Sequence, residues 1–246
     1  MRAHLVFLSV ILAASVVVAD PPPARPIVAL PRIATQAQLD RWIRPWPNMR
    51  MGHPREEWVS DPAATGPMRP REECLAELRA AGVEATAADP SPIVPGAVTV
   101  RSAIGGVRFV PGHGEPLTYA CELVSRLVRF AAVLREQGIG RVTIASGYRD
   151  HPRVSFHTLG LAVDVSRFFR DDGSDLLVLR DYDRTPEAGT CLAELRGEKA
   201  QALQRLACAL HERRIFSSVL TPNYNVGHHD HMHLDWRPAD ERFYLR

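Results

Sequence analysis

Between residues 228 and 236 the chain reads His-His-Asp-His-Met-His-Leu-Asp-Trp. In an extended strand, successive side chains point to opposite faces, so His231, His233 and Asp235 share one face and Met232, Leu234 and Trp236 the other. Three bulky apolar groups call for a core behind the strand. Three ligand-type groups call for a site in front of it. The segment is therefore a half-buried strand whose polar side lines a functional site.

A second block lies upstream, Ser155-Phe-His157-Thr-Leu-Gly160-Leu-Ala-Val-Asp164. His157 and Asp164 are seven positions apart, and on one straight strand an odd separation sends them to opposite faces. Their convergence requires a turn, for which Gly160 is the natural pivot because glycine tolerates positive φ. Beyond the turn Leu161, Val163 and Val165 alternate with Ala162 and Asp164, which puts the Asp164 carboxylate on the non-core face of a strand. A third block, Ser146-Gly147-Tyr148-Arg149, sits at the end of a strand just before.

The chain has 246 residues, 46% of them apolar and 24% charged, enough for one domain with a sizeable core. All but one of its 30 basic residues are arginine, Lys199 being the exception, and 28 acidic residues reduce the net charge to +2. That balance excludes a strongly basic nucleic-acid binder and gives no electrostatic case for anionic membranes.

Residues 1–19 read as a secretory signal peptide: Arg2 in a short basic head, an apolar run from Leu5 to Val18, and small residues at Val17 and Ala19 before a cut at Asp20. The alternative is an uncleaved anchor. No cysteine follows the cut and no second apolar run reaches membrane length, so an exported chain, periplasmic or extracellular, with no span after cleavage is expected. In an oxidising compartment the even set Cys74, Cys121, Cys191 and Cys208 favours disulfides over thiol chemistry or zinc ligation. Three pairings are possible. Cys74–Cys121 with Cys191–Cys208 is favoured, the latter on condition that Gly197 breaks any helix between the two.

Residues 20–70 form a proline-dense arm, with a short helix expected over 35–46 and loop over 47–70. The domain proper covers 71–246. Helices are expected over 71–81, 117–137 and about 198–213, and strands over 98–100, 107–109, 141–146, 215–220 and 231–236. The fold class expected is α+β, with a small antiparallel sheet flanked by helices.

SGYR, then SxHxxGxAxD, then HDHxHLD resembles the zinc peptidases that cleave peptidoglycan peptides, including D-Ala-D-Ala carboxypeptidases and murein endopeptidases. The stretch SSVLTPNYNVGHHDHMHLD more closely resembles the C-terminal domain of bacterial extensin-like proteins, and this resemblance implies the same peptidase fold. The resemblance runs over roughly 71–240 and is specific from 141 onward. It implies a single Zn²⁺ carried by the sheet and held by His157, Asp164 and His233, with the fourth position left for water. It implies Asp230 or His231 as general base, with a slight lean to Asp230 and with His231 orienting water or stabilising the transition state. Geometry divides the two, since His231 shares the ligand face and Asp230 reaches the metal only if the strand begins after it. Arg149 is the candidate for a substrate carboxylate or the developing oxyanion. Tyr148, Ser155 and His228 are candidates for contacts with substrate or with the ligands.

Plainer readings compete at several positions. They are a surface ion pair for Arg149, a turn-capping hydroxyl for Ser155, a loop histidine for His229, and either a ligand-supporting or a surface acid for Asp235. His53, His113, His151 and His211 stand outside any motif and read as solvated. Extensin-like domains often carry Cys-Arg after the SGYR-like stretch, where this chain has Asp150-His151, so Cys191 is the substitute partner for Cys208. The function expected is an exported zinc metallopeptidase, monomeric, acting on peptidoglycan stem peptides or cross-links. The alternative is a wall-binding or structural protein that keeps the fold without turnover.

Overall fold

The computed structural model describes residues 68–89, 94, 96–101, 103–112, 114, 116–149, 155–186, 188–237 and 243–246. The expected signal peptide, the helix at 35–46 and all of the arm before residue 68 lie outside these residues. The order of elements is α1 (Arg71–Ala80), β1 (Ala85–Ala87), β2 (Ala97–Val100), β3 (Arg108–Pro111), β4 (Leu117–Ala120), α2 (Cys121–Glu136), β5 (Ile139–Ser146), β6 (Ala162–Arg170), β7 (Asp175–Leu177), α3 (Val178–Asp181), α4 (Glu198–Glu212), β8 (Ser218–Leu220), β9 (Met232–Asp235) and β10 (Tyr244–Leu245). The class is α+β, as expected.

The sheet departs from expectation in size and direction. Seven strands pair in the order β10-β8-β9-β6-β5-β3, with β7 also on β6, and a second sheet has the order β1-β2-β4. The centre of the large sheet is antiparallel, but β3 pairs with β5, and β10 with β8, in parallel. For β3 and β5 the reason is topological: α2 lies between them, and a chain that returns over a helix lays its next strand down parallel.

The helix expected over 117–137 begins at Cys121 instead. Leu117–Ala120 pair antiparallel with Ala97–Val100, and the Thr99 and Thr118 hydroxyls meet at 2.9 Å. Thr118 and Tyr119 suit a strand, Tyr119 and Ala120 are buried in it, and Leu117 only mimics helical spacing. Gly138 stops α2 with φ 69°, as its position predicts.

One face of the large sheet packs on α2 and α4. Val142, Ile144, Val163, Val165, Phe168, Met232 and Leu234 join Leu127, Phe130, Leu134, Leu203, Leu206 and Leu210 in the main core. Each such side chain contributes about 1.5–3 kcal/mol of burial. A smaller core of Val94, Ala97, Ala120, Phe156, Leu159, Leu161 and Ala162 covers the turn before β6. Disulfides join Cys74 to Cys121, tying α1 to α2, and Cys191 to Cys208, tying the loop before α4 to that helix. Both are the favoured pairing, and Gly197 caps α4 between the second pair. Among the described residues no helix is long and apolar enough to cross a membrane.

Candidate metal centre

The site is built on two neighbouring strands and one turn. On β9 the alternation holds: Met232 and Leu234 enter the main core, and His233 and Asp235 face the other way. On β6 Val163 and Val165 enter the same core and leave Asp164 opposite it. The antiparallel register places Asp164 directly across from His233.

His157 arrives from the turn over 155–161. Ser155 caps that turn: its hydroxyl accepts from the Thr158 N–H at 3.3 Å, and the Thr158 hydroxyl donates to the Ser155 carbonyl at 2.7 Å. Gly160 has φ +64°, and a Cβ there would lie 2.6 Å from the Ala120 nitrogen. The Ala120 N–H donates to the Gly160 carbonyl at 2.9 Å, which fixes the turn against β4. The expected pivot is thus required both by backbone conformation and by close approach.

The three side chains converge. His157 Nε2 is 3.2 Å from Asp164 Oδ1 and 3.2 Å from His233 Nδ1, and His233 Nδ1 is 2.9 Å from Asp164 Oδ1. All three residues are buried. The outer nitrogens are anchored: His157 Nδ1–H donates to the Gly147 carbonyl at 2.7 Å, and His233 Nε2–H donates to Asp235 Oδ2 at 3.3 Å. Each ring therefore turns its remaining nitrogen towards the same point as the carboxylate. Such anchoring fixes tautomer and orientation in metal-binding histidines. His157, Asp164 and His233 could hold a metal ion, their donor atoms lying within 4.8 Å of one another.

The electrostatics follow from the packing. Burial opposes ionisation of Asp164, but the His157 and His233 imidazoles outweigh it and hold its carboxyl well below the usual range. Burial would lower His233, yet its bonds to Asp164 and Asp235 raise it to about 10. His228 is pushed down to about 3, first by burial and then by the charges of His233 and His231. Behind the site Tyr119 is fully buried, and burial followed by the Asp164 charge pushes its phenol up.

His231 stands beside the group, its Nε2 3.6 Å from Asp164 Oδ1. Asp230 does not turn towards the three donors. It accepts from His231 Nδ1–H at 2.8 Å, and its side chain is half exposed. Of the two candidate bases the structure therefore brings His231 to the site and sets Asp230 behind it. His228 is buried against His231 and His233, with ring centroids 5.0 and 5.7 Å away, and its Nδ1–H donates to Asn225 Oδ1 at 2.8 Å.

Arg149 is exposed, and its backbone N–H donates to the His157 carbonyl at 3.4 Å. Tyr148 packs on the smaller core. Of the two readings of Ser155, the turn cap is the one observed. His229 is an exposed loop residue bonded to the Val226 carbonyl. Asp235 is no surface acid: it is fully buried between His233 and Arg237. His211, expected in solvent, is half-buried in α4, and its Nδ1 has no hydrogen-bond partner among the described residues. His53, His113, Asp150 and His151 lie outside the described residues.

Three supports escaped the sequence reading. The Gly147 carbonyl has no side-chain signature, although glycine is needed there because a Cβ would lie 2.8 Å from the Tyr119 hydroxyl. Asn225 lies three residues before His228, a spacing that could have been read. Asn223 donates to Thr190 Oγ1 at 3.0 Å and to the Tyr182 hydroxyl at 3.2 Å, and so holds the loop that leads to the histidines. It carries no local signal.

Neither a search of curated proteins nor one of solved structures finds a match. A family model does match, over residues 72–244, a span that contains the convergent donors and the large sheet up to the first residue of β10. The chain therefore belongs to the family described as Extensin-like protein C-terminus.

Proposed function

We propose that this protein is an exported zinc-dependent hydrolase that cleaves peptide bonds of peptidoglycan stem peptides or cross-links with activated water. The observation that carries the reading is the convergence of His157 Nε2, His233 Nδ1 and Asp164 Oδ1, with both outer imidazole nitrogens already committed elsewhere. Two neutral imidazoles and one carboxylate match the donor set of hydrolytic zinc sites and leave room for a further ligand. A zinc ion held there would supply Lewis acidity, lowering the pKa of a water and polarising the scissile carbonyl.

The chain's own groups supply the remainder. His231 Nε2, 3.6 Å from Asp164 Oδ1 and on a side chain less buried than the three donors, would take a proton from water and return it to the leaving amine. Asp230 accepts the Nδ1–H of that ring and so keeps the basic nitrogen turned inward. On this reading His231 is the base and Asp230 its orienting partner, the opposite of the slight preference drawn from sequence. Arg149, exposed and bonded through its backbone to the His157 turn, is the residue this reading gives the substrate carboxylate. Asp235 and the Gly147 carbonyl hold the ligand rings.

The test is incubation of the mature protein with purified sacculi, with and without chelator, followed by mass spectrometry of released peptides. Release of peptides that stops with chelator and returns with zinc is expected. Absence of chelator-sensitive release would overturn the reading in favour of a wall-binding protein.

A further inference from the structure

The site-bearing face of the large sheet does not end at Asp164. Along β6, Val163 and Val165 point into the main core, and so does Phe168. That sequence of inward positions breaks strict alternation. The break falls where the β5–β6 register slips, between the pairs Thr143↔Arg167 and Ile144↔Val165. Ser166 is the extra residue, and such a bulge turns the following side chains over. Arg167 and Phe169 therefore lie on the same face as Asp164 instead of the face behind it. On the neighbouring strands Val142, Ile144 and Phe109 are the inward residues, which leaves Arg141 on β5 with Arg108 and Val110 on β3 on the outward side.

These residues form one strip. The Arg141 guanidinium lies 3.6 Å over the Phe169 ring and that of Arg167 lies 4.7 Å from it. Arg108 and Val110 are exposed. Arg167 is already paired with Asp175, at 2.6 Å from Nε. Among the described residues neither Arg141 nor Arg108 meets a carboxylate within ion-pairing distance. A guanidinium stacked on a ring keeps its edge N–H groups available for a second, coplanar acceptor. The strip is thus a positively charged, partly apolar surface continuous with the metal centre. It begins three to five residues along β6 from Asp164, about 10–17 Å at a strand's rise.

We infer that this strip is a binding subsite for an acidic peptide, one whose carboxylate lies a few residues from the bond presented to the site. The inference rests on the peptidase reading for the kind of chain that reaches the site, and names the class of substrate that this reading leaves open. Charge complementarity selects the ligand. Two arginines with no carboxylate partner among the described residues match carboxylates, and Phe169 and Val110 supply the apolar contact that a short peptide's aliphatic groups can cover.

The experiment measures fluorescence anisotropy of a labelled peptide of alternating alanine and glutamate, and of its glutamine counterpart, on chelator-treated protein. Turnover is thereby excluded, and failure of the hydrolase reading cannot be mistaken for failure of this one. The acidic peptide is expected to bind at least about tenfold more tightly than the neutral one, and Arg108→Gln with Arg141→Gln to remove about tenfold. Arg108 is exposed, so the Arg108→Gln single variant should keep the melting temperature and lower the affinity in the same direction, which separates the loss of charge from any loss of the half-buried Arg141 stack on Phe169. Wild-type affinity for the acidic peptide should fall with added salt. Equal binding of both peptides, or an unchanged affinity in the double variant, overturns the inference. So does tight binding of a polyphosphate with none of the acidic peptide, which would mark a surface for phosphate polymers instead.

Discussion

Asp164 and His233 face each other across the antiparallel pair β6–β9, with their side chains joined at 2.9 Å on the face away from the core. This cross-strand pair is the foundation of the site, because the sheet's own hydrogen bonds fix its spacing. His157 then needs only a turn to reach it. Two ring nitrogens 3.2 Å apart beside a buried carboxylate must share either a proton or a cation.

Asp164→Asn should therefore remove metal retention. The amide keeps the shape but cannot supply the charge that offsets a dication. After dialysis against zinc and then buffer, elemental analysis should find about one zinc per wild-type chain and close to none in the variant. Stoichiometric zinc in the variant would refute the ligand assignment.

Asp235→Asn should weaken the site without abolishing it. Asp235 touches the far nitrogen of His233, so its loss relaxes the ring's orientation, and groups in that role are worth about 10–100-fold in metal affinity. Competition against a chromophoric chelator measures the change. The prediction also separates Asp235 from Asp230, whose loss should lower turnover while leaving zinc affinity within about threefold.

Metal uptake should release a proton at neutral pH. The folded pKa of His233 without metal is raised to about 10, above the 6.5 of an unfolded chain. Its protonated form thus stabilises the metal-free fold fully below pH 6.5, and that stabilisation is lost as pH rises through about 10. A ligand must be deprotonated, so apparent zinc affinity should rise about tenfold per pH unit across this window. Calorimetric titration at pH 7.5 in buffers of different ionisation enthalpy should report about one proton released per zinc.

Gly160→Ala should destabilise the fold by about 2–5 kcal/mol. A side chain at φ +64° costs ~1–2 kcal/mol, and the added Cβ meets the Ala120 backbone, which cannot yield without separating the two sheets. Urea denaturation followed by circular dichroism measures it. A change below ~1 kcal/mol would show that the turn adapts.

What the sequence disclosed follows a physical division. Met232 and Leu234 inward with His233 outward was legible because a strand's period is two and the residues are consecutive. The His157–Asp164 convergence was legible because glycine at position 160 has so few other uses. Leu117–Ala120 was misread because its partner, Ala97–Val100, lies some twenty residues away, and pairing at that distance overrides local spacing. The parallel pairing of β3 with β5 depends on where α2 is placed, which periodicity does not encode. The Gly147 carbonyl is backbone and leaves no trace in composition. Burial of Asp235 was half legible: alternation put it beside His233, but only the packing of Arg237 and β8 closes the space around it.

The two disulfides should differ in what their loss does. They span 47 and 17 residues, so the chain-entropy model assigns ~4 kcal/mol to Cys74–Cys121 and ~3 kcal/mol to Cys191–Cys208. Stability alone therefore ranks the first above the second. The site ranks them the other way. Cys74–Cys121 ties two helices on the core side of the sheet. Cys191 adjoins Thr190, whose hydroxyl accepts from Asn223 and whose carbonyl accepts from Gln204 of α4 at 2.8 Å. Asn223 in turn sets the loop that carries Tyr224 and Asn225 against His228, and His228 packs on His231. Replacing Cys191 and Cys208 by serine should thus lower zinc affinity about tenfold at folded conditions, and the Cys74, Cys121 double variant should leave it within about threefold despite the larger drop in urea midpoint. Zinc competition and urea titration on both variants decide the matter, and equal effects on zinc would mean that the loop is held by Asn223 alone.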